Sequence, residues 1–209
     1  MFNNKLNNNL YSFKFQVSFL GDEGSGKTSA LRKIFNKEIP VSPTIGVDYD
    51  SKILLYKNKK IKLSVWDLSG ADRFRPILKN YYNGNNIIVL FLDLTKDVTK
   101  SFKYWINEIN TNIKEKIPIL IILNKSDMVE TFNTTFIFNE ATNKLNKFNI
   151  IFHNINIDKY SKNFIEKKIL SLLLDDLIDI DLYDKFKPQQ KSIKKRELCF
   201  TSFFKFLWK

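Results

Sequence analysis

The stretch Gly21-Asp22-Glu23-Gly24-Ser25-Gly26-Lys27-Thr28 constrains this chain more than any other, because it completes the pattern G-x-x-x-x-G-K-[ST] between an apolar alternation and a helix-forming run. Consecutive backbone N–H groups in such a loop, with the positive end of the following helix, form a concave site for phosphate oxygens. Glu23, Gly24, Ser25 and Gly26 line that concavity, Lys27 reaches the β- and γ-phosphates, and Thr28 presents its hydroxyl to Mg²⁺. The glycines leave free the space that a Cβ would take from the tight turn or from a phosphate. A nucleoside triphosphate is the first ligand to expect, against the plainer alternative of an incidental glycine turn.

The surrounding pattern supplies the scaffold. Phe13, Phe15, Val17 and Phe19 alternate with Lys14, Gln16 and Ser18, which predicts a first strand over 13–20 that delivers the loop at its end. A helix is expected over 27–35, interrupted by Pro40, Pro43 and Gly46. Two strands over 50–56 and 61–67 read as a hairpin about Lys57-Asn58-Lys59-Lys60. The apolar runs 87–94 and 117–123 have the composition of strands covered on both faces. Helices are expected over 99–114, with Phe102, Trp105, Ile106 and Ile109 as core, over 136–148 and over 161–182, with a strand at 150–155. This alternation predicts an α/β fold whose mostly parallel sheet carries helices on both faces. His153, the single histidine, sits in the last strand and reads as structural.

Three further pieces gain meaning from their order behind the phosphate loop. Thr44, in the irregular segment Ser42–Tyr49, places a hydroxyl where a second Mg²⁺ ligand and γ-phosphate sensor is needed. Asp67-Leu68-Ser69-Gly70 ends a strand with a carboxylate able to hold a Mg²⁺ water, and the Gly70 N–H can bond the γ-phosphate. Asn124-Lys125-Ser126-Asp127 is the most discriminating: Asp127 can accept from the N1–H and N2–H₂ of guanine, a donor pair adenine lacks. Lys125 can pack its stem along the base, and Asn124 can tie this loop to the phosphate loop. No His or Cys cluster offers another metal site, so Mg²⁺ would arrive with the nucleotide.

The net charge of +12 is uneven, since residues 185–209 carry eight Lys or Arg against the one acid Glu197. We expect three parts: an Asn-rich, disordered 1–12, a globular domain over 13–182, and a basic, aromatic-rich tail over 183–209. One cysteine, Cys199, argues against a disulfide framework; no apolar run reaches about 20 residues, and the N-terminus lacks a signal-peptide core, so a cytoplasmic location is expected.

In order and content, the four pieces over 13–182 resemble the small GTPases of the Ras superfamily. Ile45-Gly46-Val47-Asp48-Tyr49, Trp66-Asp67, Asp72-Arg73-Phe74-Arg75, Tyr81-Tyr82-Asn83-Gly84 and Leu92-Asp93-Leu94-Thr95 before Ser101-Phe102 resemble the Rab family within it. The resemblance implies a P-loop NTPase domain with a six-stranded, mostly parallel sheet and five helices. It also implies GTP, GDP and Mg²⁺ binding, and two switch segments near 36–48 and 67–82. Effectors and exchange factors would dock on those segments, with recruitment to endomembranes in vesicle traffic; a monomer is expected.

The departures bear on chemistry. Where the family carries a water-orienting glutamine after D-x-x-G, this chain has Ala71, and Glu23 stands where a small residue is usual. Intrinsic turnover of Ras, with its glutamine, is only about 10⁻⁴–10⁻³ s⁻¹, so hydrolysis at or below that scale is expected unless Asp72 or a partner's glutamine substitutes. Thr44 follows Lys27 by 17 positions, about two fewer than the family norm, and Ile39 or Phe35 stands in for an aromatic beside the base. The last guanine loop aligns with Ile157-Asp158-Lys159, of which only the lysine matches, so Asp158 and Lys159 are its candidate contacts. The end of the chain has no C-terminal prenylation cysteine and residue 2 is not the glycine of a myristoylation signal, so residues 191–209 are expected to reach membrane, if at all, through Lys/Arg with Phe and Trp, or a palmitoylated Cys199. A nucleic-acid role is not expected, since no base-reading fold accompanies the basic tail. Two functions stay open: a GTP-dependent switch with slow turnover, and a pseudo-GTPase that keeps the fold as a protein-binding module. An ATP-dependent kinase has no use for N-K-x-D.

Overall fold

The computed structural model describes residues 11, 13–39, 42–56, 58–130, 134–146 and 148–185. Compactness divides the chain at 178/179. In the second unit the described residues, 179–185, are helical. The Asn-rich 1–10 and the segment from 186 onward, with Cys199 and the basic, aromatic-rich end, lie outside the described residues.

In the first unit six strands form one sheet in the order β2-β3-β1-β4-β5-β6. They are β1 (Phe13–Gly21), β2 (Val47–Tyr56), β3 (Lys59–Leu68), β4 (Ile87–Asp93), β5 (Ile119–Asn124) and β6 (Ile150–Asn154). Only β2 runs antiparallel, against β3; every other pair is parallel. Five α-helices accompany them: α1 (Lys27–Ile34), α2 (Arg75–Leu78), α3 (Val98–Asn112), α4 (Thr135–Lys144) and α5 (Lys162–Lys185). The α/β sheet with five helices is the architecture that the strand–helix alternation and the family resemblance imply.

Alternate residues of each strand feed two cores. Phe15, Val17 and Phe19 of β1 join Ile61, Leu63 and Val65 of β3 beneath α1 and α5, which contribute Ala30, Leu31 and Ile34, and Ile165, Ile169 and Leu173. On the other face Leu20, Ile88, Leu90, Ile119 and Ile121 pack with Phe102, Trp105, Ile106 and Ile109 of α3 and Ile137 and Ala141 of α4. Every residue of β4 and β5 is buried, which accounts for their apolar composition up to the terminal Asp93 and Asn124.

Several boundaries differ from the sequence reading for local reasons. β2 starts at Val47 because antiparallel pairing with β3 continues to Val47 opposite Leu68, and β3 already includes Lys59 and Lys60. β5 begins at Ile119 rather than 117: Pro118 has no N–H, and its carbonyl instead accepts from Ile88 N at 3.2 Å. α3 stops at Asn112 because Ile113 turns extended, and α4 stops at Lys144, where Leu145 N closes on Ala141 O at 2.8 Å. The segment after Gly70 holds two 3-10 turns flanking the four-residue α2.

Candidate nucleotide-binding site

The segments that follow β1, β3, β5 and β6 converge on one cleft of about 290 Å³, as expected for a doubly wound sheet. Its lining includes Glu23, Gly24, Gly26, Lys27 and Thr28 from the phosphate loop, with Thr44, Gly70, Lys125 and Asp158. Gly26 caps α1 in a left-handed conformation without any side-chain acceptor, so the first N–H groups of α1 are left for a ligand. A Cβ on Gly26 would stand 2.3 Å from Asn124 Nδ2, and one on Gly70 would stand 2.1 Å from Glu23 N. The phosphate loop is thus packed against both the D-x-x-G turn and the N-K-x-D loop, at a distance only glycine permits.

Charge in the phosphate half is buried and turned inward. Lys27 is 5 % exposed and donates to Gly21 O and Asp22 O, each at 2.8 Å, and to Ser25 Oγ at 3.4 Å. Burial pulls its ammonium down to about 8, with Asp67, Asp22 and Glu23 opposing and Lys96 assisting. Thr28 Oγ1, Thr44 Oγ1 and Asp67 Oδ2 form a closed triangle with sides of 2.8, 2.5 and 3.1 Å. Asp67 is fully buried and its Oδ1 has no partner among the described residues. Burial raises its carboxyl above the ordinary carboxylate range, against hydrogen bonds from the two threonines and the Lys27 charge. Two hydroxyls and an under-satisfied buried carboxylate are a hard-oxygen set suited to Mg²⁺; among the described residues no cluster of three His, Cys, Asp or Glu offers an alternative.

The base half is built from separate segments. Asn124, fully buried, donates to Ser25 O at 2.9 Å and accepts from Ile157 N at 2.9 Å, so one amide ties the phosphate loop to the turn after β6. Lys125 takes a left-handed conformation and donates to Asp93 Oδ2 at 2.7 Å. Burial would raise the Asp93 carboxyl, but hydrogen bonds from Lys125 and Thr95 outweigh it and hold it low. Asp127 is exposed, outside the cleft lining, and accepts from Asn156 Nδ2.

Asn156 was passed over in the sequence, which begins the loop at Ile157. Its Oδ1 accepts from both Asp158 N and Lys159 N at 3.0 Å, so this buried amide shapes the turn while engaging Asp127. The turn therefore starts one residue earlier than the Ile157-Asp158-Lys159 alignment. Asp158 lines the cleft, whereas Lys159 is exposed and outside its lining. The available signal was an Asx residue at a strand end followed by turn formers.

Other expectations resolve by geometry. Ile39 lines the cleft, while Phe35 packs against the core under Lys52, whose Nζ lies 5.5 Å from its ring centre. The carboxylate of Asp72 is paired with Arg75 at 2.7 Å and does not line the cleft. Ala71 leads into the 3-10 turn with its N–H 3.3 Å from Ser69 Oγ. Trp105 Nε1 donates to Asp22 Oδ1 at 2.9 Å, fastening the phosphate loop to α3. His153 lies in β6 with Nε2 buried and unpartnered; burial, with Lys168 assisting, pulls it down to about 4, so it is neutral.

Known proteins share these features. The family model of Ras of Complex, the Roc domain of DAPkinase, matches residues 16–127, from within β1 to the aspartate of N-K-x-D. The chain is 35 % identical over 123 residues to GTP-binding protein ypt1 of Schizosaccharomyces pombe, which covers 57 % of this chain and 61 % of that protein. It is 34 % identical over 121 residues to Ras-related protein Rab-11A of Dictyostelium discoideum, covering 56 % of each. Against Ras-related protein Rab-1A of the same organism it is 33 % identical over 138 residues, 63 % of this chain and 68 % of that protein. The matched stretch spans about six tenths of the length of the first two relatives.

Proposed function

The chain belongs to the Ras superfamily of small GTPases and is Rab-like within it, and on that premise we propose that it is a Mg²⁺-dependent molecular switch alternating between GTP and GDP in membrane traffic. The observation that carries this reading is the convergence on one cleft of a phosphate loop, the Thr28–Thr44–Asp67 oxygens and an N-K-x-D loop fastened to the phosphate loop by Asn124.

Lys27 exchanges its carbonyl partners for phosphate oxygens, and the first N–H groups of α1 bind phosphate from the other side. Thr28, Thr44 and Asp67 would hold Mg²⁺, Asp67 by way of a water, and the ion would supply positive charge against the phosphates. Thr44 reports the γ-phosphate to the first switch segment, and Gly70 reports it to the second. Asp127 accepts from the guanine edge, and Lys125 lies along the base. Ala71 supplies no group to orient water, so turnover is slow and Ala71→Gln should raise single-turnover hydrolysis toward the roughly 10⁻⁴–10⁻³ s⁻¹ of Ras.

Effectors and exchange factors dock across the switch segments; exposed Ile45, Tyr49 and Ile77, and the tilted stack Tyr49–Trp66–Tyr81 with ring centres 4.4 and 5.1 Å apart, supply apolar contact area. The protein acts as a monomer on the cytosolic face of endomembranes, with residues 191–209 as the membrane contact. Among the described residues no helix is long and apolar enough to cross a membrane.

The second reading, a pseudo-GTPase module, is favoured by Ala71 at the position of the water-orienting glutamine, by Glu23 in the phosphate loop and by the degraded last guanine motif. Nucleotide released by denaturing the purified protein, followed by single-turnover hydrolysis with and without Mg²⁺, separates the two. Recovered guanine nucleotide whose release Mg²⁺ slows supports the switch. An empty protein that also fails to bind added GTP leaves the binding module.

A further inference from the structure

Lys33 belongs to none of the motifs, yet it is 6 % exposed and no carboxylate pairs with it among the described residues. Its ammonium donates instead to three main-chain carbonyls of the turn after β6: Ile157 O, Asp158 O at 3.4 Å and Tyr160 O at 2.8 Å. Three donors on three carbonyls use the hydrogen-bonding capacity of an ammonium fully, which is the condition for burying one. Burial lowers its pKa, with the Asp158 charge opposing and Lys162 assisting.

The same turn presents its N–H groups elsewhere. Ile157 N donates to Asn124, and Asp158 N and Lys159 N donate to Asn156, whose own amide engages Asp127. Lys33 thus fixes the carbonyls of a turn whose other contacts set the base-reading loop, and Asp158 of that turn lines the cleft. It stands six residues beyond Lys27 on the eight-residue α1, so one short helix carries an ammonium for the phosphate half and another for the base half.

Resting on the guanine-nucleotide reading above, we propose that Lys33 is a positioning residue for base recognition: its ammonium holds the 157–160 turn so that Asn156 and Asp127 meet the base. It takes over the ordering that the degraded last guanine motif no longer provides through its own side chains.

The test uses the full chain with Mg²⁺ and compares two probes by titration calorimetry, GDP and inorganic pyrophosphate, which carries phosphate without a base. Lys33→Met keeps the apolar stem and removes the donors; it should weaken GDP by roughly tenfold or more and leave pyrophosphate within about twofold. Lys33→Arg, which keeps donors at that place, should hold GDP within about threefold of wild type. Lys33→Gln, with two donors, should fall between and serves if Lys33→Met does not fold. Equal weakening of GDP and pyrophosphate would assign Lys33 to general stability and overturn the proposal, as would a Met or Gln variant that binds GDP like wild type while wild type binds it tightly. A wild-type chain that binds pyrophosphate but not GDP would overturn the guanine reading itself, and this inference with it.

Discussion

In the phosphate half of the cleft, eight consecutive residues and the end of β3 supply nearly every group, and those groups bond mainly to one another. In the base half, residues 33, 93, 124–127 and 156–160 must be brought together, and Lys33, Asp93, Asn124, Lys125, Asp127 and Asn156 each bond to a partner far away in the chain. The first half is local chemistry that a short motif carries whole; the second is tertiary chemistry whose supporting atoms are main-chain carbonyls and two asparagine amides. The Roc family model matches to Asp127 and stops before the 156–160 turn. That match takes in the phosphate loop, the D-x-x-G turn and the N-K-x-D loop.

Removing a charge from the phosphate half should give the largest effect. Lys27→Met should cost about a hundredfold or more in GDP affinity, the scale of a desolvated charge-assisted pair, while pyrophosphate affinity falls in parallel; an effect confined to GDP would dissolve the division between the halves. The pH dependence has a definite sign. With Lys27 at about 8 against 10.5 ordinarily, the unfolded chain binds more protons than the folded one between those values. The nucleotide-free protein should therefore gain stability as pH rises from about 8 toward 10.5, by up to about 3 kcal/mol. Below about pH 8 this group adds no slope. Denaturant unfolding at several pH values, with Lys27→Met lacking the gain, checks it.

Asp67→Asn should abolish the slowing of GDP release by Mg²⁺. Because burial raises the Asp67 carboxyl, the folded chain binds the extra proton between the ordinary and raised values, and stability falls as pH climbs through that window. The asparagine variant should therefore be more stable than wild type at neutral pH without ligand. Thermal unfolding with and without Mg²⁺ and GDP reads both arms, and lower stability in the ligand-free state would contradict the strained-carboxylate account.

A smaller loss is expected in the base half. Asn156→Ala leaves Asp127 without that amide and two turn N–H groups unsatisfied, for about 1–2 kcal/mol of base affinity. GDP should weaken about tenfold with pyrophosphate unchanged, since 1.4 kcal/mol is a factor of ten. Smallest is Trp105→Phe, which deletes the hydrogen bond to Asp22 but keeps most of the packing; thermal unfolding should show about 1 kcal/mol lost and GDP affinity within twofold. A large affinity loss here would mean that α3 belongs to the site.

Much of the fold was readable because the pattern had one physical cause. Fully buried strands such as β4 and β5 are apolar up to their last residues, Asp93 and Asn124, and β1 alternates where one face lies under α1. Boundaries were harder to read: the strand expected from 117 begins at Ile119, because Pro118 lacks a donor. Asp72 reads as a candidate water-orienting group and in space its carboxylate pairs with Arg75; Phe35 reads as a candidate beside the base and in space it packs against the core. Both are questions of which neighbour arrives first in space, and neither neighbour is marked by spacing. Asn156 was missed because a single asparagine in an Asn-rich chain carries little signal.

By itself the sequence determined the phosphate loop, the order of strands and helices, and the loss of the usual glutamine at Ala71, because these depend on near neighbours, on hydropathy period and on residue identity. Only the tertiary structure decided that Lys33 serves the turn after β6, that Asn156 engages Asp127, and that Lys27 and Asp67 are buried deeply enough to have their charges disfavoured. The reason is physical: a hydrogen bond between residues 33 and 157 requires the whole sheet to be assembled between them, and desolvation belongs to a place in the fold, whatever residue stands there.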